Sequence, residues 1–93
     1  MTKKKKEEEN SLPTASFSSL VLMLATGALQ QLGVIENPIT KKKEKDLTFA
    51  RVTIDSLSIL KEKTRGNLKP DEEKLLDGLL LELRMKYVEE SGT

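Results

Sequence analysis

The sequence predicts an all-α protein built from three helices. Three observations lead there. Apolar residues recur at spacings of three and four through long segments, which is the period of a helix and not of a strand. Gly33, Gly66 and Pro70 stand where helices stop or start. No strand pattern competes with this reading.

Composition agrees. Leu 16, Ile 4, Val 4 and Phe 2 make 26 of 93 residues, above the roughly 20% below which chains usually stay disordered. Aromatic residues are only 3% and Trp is missing, so the core must be aliphatic. The length suits one small domain and not two. The expected division is a charged tail and lead-in over residues 1–15, a single helical domain over 16–90, and a frayed C-terminus over 91–93.

The start, MTKKKKEEEN, has nothing apolar after Met1. Burial cannot offset its ordering entropy, so Thr2 to Asn10 reads as a disordered tail. The first helix is expected over about 16–32, SFSSLVLMLATGALQQL. Ser16 is its N-cap, since a serine hydroxyl can accept an orphaned amide hydrogen of the first turn. Gly33 closes it with the left-handed residue that ends many helices. Val34 to Lys43 then reads as a loop, marked by Asn37-Pro38 and the polar run Thr40 to Lys43.

The second helix is expected over about 45–65, with Leu47, Ala50, Ile54, Leu57 and Leu60 on one stripe and Phe49, Val52 and Ile59 on its flank. Lys61, Lys63 and Arg65 crowd its last turns, where cations favour the negative end of the dipole. Gly66 stops it, and Leu68 can fold back on the last turn. The third helix is expected over about 70–89. Pro70 suits the first helical position, and Asp71, Glu72 and Glu73 complement the positive end of the dipole. Leu75, Leu76, Leu79, Leu80 and Leu83, then Tyr87 and Val88, form its apolar face. A connection from Gly66 to Lys69 only reverses the chain, so the second and third helices form an antiparallel hairpin.

Three segments together, FSSLVLMLATGALQQLG (Phe17 to Gly33), TIDSLSILKEKTRGNL (Thr53 to Leu68) and EEKLLDGLLLELRMKYVE (Glu72 to Glu89), carry a family likeness. In this order and spacing the chain resembles the small bacterial family described as domain of unknown function 1844. KEKTRGNL is the most specific stretch. The resemblance would put Gly where Lys41 follows Thr40, and a Thr or Ser cap where Lys69-Pro70 stand. It implies a small, largely helical, bacterial cytoplasmic protein and supplies no activity.

Chemistry is bounded by exclusion. With Cys 0 there is no disulfide scaffold or thiolate site, and with His 0 the commonest general base and metal ligand are gone. Neither an enzyme nor a bound cofactor is expected. Arg51 and Asp55 lie one turn apart on the second helix, and the hairpin brings Arg84 to nearly the same level. Such a group makes a structural ion pair or an anion site. Glu72, Glu73 and Asp77 lack a His to join them, so they read as a solvated face and not as a metal site. The clusters Lys3 to Lys6 and Lys41 to Lys45 are interrupted or followed by acidic residues and have no interleaved aromatics, so no specific nucleic-acid binding is expected. The first helix has an uninterrupted apolar run only from Leu20 to Ala25, far short of the ~20 residues a bilayer requires. The cytoplasm is the expected compartment.

Two functional readings of different class follow. One is an interaction or scaffold module that self-associates and engages an unidentified protein partner. The other is a small-ligand or anion-binding protein using Lys63 and Arg65 at the helix 2–3 turn, or Arg51 and Arg84. Self-association is expected because the first helix is apolar nearly all round, and such a helix is a buried one. Phe17, Leu20, Leu24 and Ala28 make the stripe expected to cover the hairpin. With Val21, Leu22, Ala25 and Leu29 they are the expected oligomer interface, in a homodimer first and a tetramer second. The helical bundle is then completed by homo-oligomerisation.

Overall fold

The computed structural model describes residues 14–92. Three helices follow in chain order: α1 Phe17–Gln31, α2 Leu47–Lys63 and α3 Pro70–Ser91. Each packs against both of the others, and no strand forms among the described residues. α2 and α3 run antiparallel, as the short connection between them requires.

Each helix starts where a side chain can satisfy its free amide hydrogens. The Ser19 N–H donates to Ser16 Oγ at 3.0 Å, and the Ser16 N–H donates back to Ser19 Oγ at 2.9 Å. Ser19 was not expected in this role; it stands where a capping box usually has Glu or Gln. α2 begins after Asp46, whose carboxylate accepts the Phe49 N–H at 3.0 Å. It therefore starts two residues later than 45. Lys45 instead bridges back to Leu32, and the Asp46 N–H donates to the Gln31 carbonyl at 2.7 Å. At α3, Pro70 occupies the first turn as expected, and Glu72 accepts the Lys69 N–H at 2.9 Å.

The helix ends have equally local causes. After Leu32, Gly33 adopts φ +78°. Its N–H donates to the Gln30 carbonyl and that of Val34 to the Leu29 carbonyl, both at 3.0 Å. This is the Schellman arrangement, and Val34 and Leu29 pack beside the core to complete it. α2 stops at Lys63, earlier than 65: the Thr64 N–H still donates to the Leu60 carbonyl at 3.0 Å, but the Arg65 N–H turns to the Glu62 carbonyl at 3.4 Å. Gly66 then turns the chain at φ +83°. α3 runs to Ser91, past 89, and Gly92 follows at φ +77°. The tail reading of Thr2 to Asn10 lies outside the described residues.

The core is aliphatic. Val21, Ala25, Ala28 and Leu32 come from one side, Ala50, Ile54 and Leu57 from α2, and Leu76, Leu80 and Leu83 from α3. The α1 stripe differs from the expected one of Phe17, Leu20, Leu24 and Ala28. Phe17 and Leu24 sit at its margin, while Leu20 is 42% exposed. Small side chains explain the difference. Ala25, Ala28 and Ala50 let helix backbones approach, and the larger residues then flank the contact. One polar group is buried among them. The Thr53 hydroxyl donates to Gln31 Oε1 at 2.7 Å, with the Phe49 carbonyl 3.1 Å away as its alternative acceptor.

Candidate functional site

Between Glu9 and Glu36 the sequence holds no charged residue, although 33% of the chain is charged. All of α1 falls in that interval. One face of α1 is sunk in the core, so the opposite face is both outward and uncharged. There Leu22 is 48% and Met23 69% exposed. With Ser19, Thr26, Gly27 and Gln30 they line a shallow open groove. Gly27 faces outward, since a Cβ built there would meet nothing within 4 Å.

This divides the eight expected interface residues. Val21, Ala25 and Ala28 are spent in the core of the single chain and cannot face a partner, which corrects that part of the expectation. Phe17, Leu24 and Leu29 are half-buried against the same core. Leu20 and Leu22 remain outward, and Met23 joins them as the most exposed apolar side chain of α1. Ser19, Thr26 and Gln30 were missed as groove residues. The signal that could have found them is the missing charge, because a solvated helix face is normally charged.

The other exposed apolar residues keep charged company. Leu81, Met85 and Val88 form a stripe on the outside of α3, but Glu82, Arg84 and Glu89 flank it and are also exposed. Val88 thus lies outside the core that the sequence assigned it to. Phe49, Val52 and Ile59 are more than half exposed, among Arg51, Asp55 and Glu62.

The expected ion-pair group is looser than expected. Arg51 Nε lies 3.9 Å from Asp55 Oδ2, at the outer limit of an ion pair. Arg84 donates to the Ser58 hydroxyl at 3.2 Å, and among the described residues it has no carboxylate partner. Arg51, Asp55 and Arg84 do line one groove of about 190 Å³ with Ile54, Tyr87 and Val88. At the helix 2–3 turn, Arg65 is paired with Glu62 at 2.7 Å. The hydrogen bond to Glu62 and then its charge raise the Arg65 pKa above an already high value, so the side chain stays cationic. Lys61 pairs with Asp77 at 2.7 Å, tying α2 to α3, and Glu73 also lines the turn. Its cations are therefore largely answered already. Lys63 is exposed and makes no ion pair with a described residue. Asp77 and Glu72 are thus engaged by Lys61 and the Lys69 N–H, and no acidic cluster among the described residues is arranged to hold a metal. Among those residues no helix is long and apolar enough to cross a membrane.

Fold and surface together define a small three-helix domain with one uncharged, partly apolar helix face left outside the core. Across residues 14–89 the chain matches the family model described as Domain of unknown function (DUF1844), and it belongs to that family. No curated protein and no solved structure matches the chain.

Proposed function

We propose that this protein is a non-enzymatic cytoplasmic interaction module that self-associates through the outer face of α1. The observation that carries this reading is the uncharged groove with Leu22 and Met23 exposed on it. Left in water, such a face costs free energy that a partner helix would recover. A homodimer is the first expectation and a tetramer the second, with a further protein partner engaging the assembly.

Sedimentation equilibrium at concentrations up to hundreds of micromolar tests it. A dimer is expected for the native chain, converted to monomer or aggregate by Leu22→Glu. A stable, folded monomer at those concentrations overturns the proposal. A second reading, an anion- or carboxylate-binding groove, rests on Arg84, whose contact is a neutral hydroxyl while Arg51 lines the same groove. A thermal-shift series with small anions and carboxylates would show a midpoint rising with ligand concentration and lost in Arg84→Ala. No shift across the series removes this second reading.

A further inference from the structure

Resting on the self-association reading, we infer that the occupant of the α1 groove is the α1 of a second copy, packed antiparallel with Met23 set against Gly27 of the other chain. Charge decides the occupant. The outer sides of α2 and α3 carry charged residues, and covering an uncharged face with them would strip water from charges that find no partner. Among the described helices only α1 is free of charge, so only another α1 covers it without that cost.

Shape decides the direction. Along α1 the projecting side chains Leu22 and Met23 precede the low positions Thr26 and Gly27. Parallel packing would set projection on projection and hollow on hollow. Antiparallel packing about a two-fold axis near the middle of the groove sets each projection into the other chain's hollow, twice over. That register sets residue 19 of one chain level with residue 31 of the other, so Gln30, one residue and about 1.5 Å away along the axis, is the groove position nearest to Ser19. It also sets opposed helix dipoles side by side, which favours this direction because α1 has no charged residue at either end. The helix is about 22 Å long, so the buried area falls below the ~1,200 Å² total of stable specific interfaces. The dimer is therefore a weak one, to be examined at tens to hundreds of micromolar.

The chain has no cysteine, so an engineered thiol reports without background. Full-length Ser19→Cys and Gln30→Cys chains are oxidised separately and as an equal mixture, then resolved by mass. The mixed 19–30 disulfide is expected to dominate, with little of either homodisulfide. Leu20→Cys replaces Ser19→Cys if loss of the capping hydroxyl unfolds the helix start. Homodisulfides from each chain alone would mean parallel packing, which overturns the antiparallel arrangement and leaves self-association standing. A sedimentation dimer with no disulfide at these positions moves the interface off α1 and overturns both. A monomer also overturns both. Gly27→Leu adds a check on register. Its side chain enters open space in the single chain, so folding should persist while dimer affinity falls at least tenfold. Unchanged affinity would overturn the Met23–Gly27 pairing.

Discussion

Lys41→Gly should stabilise this protein, although it adds a glycine to a loop. Lys41 has φ +59°, and no other described non-glycine residue has a positive φ. It is held there by Asn37. The Lys41 N–H donates to the Asn37 carbonyl at 2.7 Å, the Asn37 N–H donates to the Lys42 carbonyl at 2.9 Å, and Asn37 Oδ1 accepts the Ile39 N–H at 2.8 Å. A side chain in the left-handed region costs roughly 1–2 kcal/mol, from crowding of Cβ against the carbonyl. Glycine removes that strain but gives the unfolded chain more freedom, worth about 0.5–1 kcal/mol in the opposite direction. The net gain is about 0.5–1 kcal/mol, or a midpoint rise of about 3–6 °C for a domain of this size. Lys42→Gly is the matched control. It also removes one lysine and adds one glycine, but at a residue without positive φ, so it should destabilise by about 0.5–1 kcal/mol. The difference between the two variants isolates the strain. Urea denaturation of both chains measures it, and equal stabilities would refute the argument.

Val21→Ala and Met23→Ala, two residues apart on α1, should differ sharply. The first opens a cavity at a fully buried site and should cost about 2 kcal/mol, while the second should cost under ~0.5 kcal/mol in denaturation at low micromolar. Equal costs would mean α1 is rotated from its described orientation. Asp46→Ala removes the α2 cap and should cost about 1 kcal/mol, read by thermal melting; an unchanged midpoint would show that α2 does not depend on it. A double-mutant cycle on Lys61 and Asp77 should show coupling of a few tenths of a kcal/mol, as suits a half-exposed pair. The cycle on Asp55 and Arg84 should be additive within ~0.3 kcal/mol, because Arg84 is bonded to Ser58 instead.

The parts of the fold that local chemistry dictates were legible in advance. Ser16, Gly33, Gly66 and Pro70 each act through the residues beside them, and each stands at a helix end or turn as its chemistry requires. Lys41 was legible in a different way. The family likeness would put glycine there, and the backbone is in the conformation that glycine accommodates best. The misplaced ends were also local, but they turned on competing hydrogen bonds. Asp46 could be read as helix or as cap, and the Arg65 N–H turned from the i−4 carbonyl to that of Glu62.

The rotation of α1 about its own axis was not legible, and the physical reason bears on function. A helix with a single apolar stripe has one way to face the core. α1 has apolar residues nearly all round, so several stripes satisfy the same burial rule. The expected stripe and the one through Val21, Ala25, Ala28 and Leu32 differ by a rotation of roughly 60° at 100° per residue. Side-chain size favoured the former, because Phe17 and Leu24 bury more area than two alanines. Backbone approach favoured the latter, because Ala25 and Ala28 share the buried core with the equally small Ala50. What decided between them is a property of the helix pair, which no single-helix pattern contains. The consequence is that Leu22 and Met23 stand outside while two alanines stand inside. The proposed self-association rests on that uncharged face, and not on the stripe that a single-helix pattern favours.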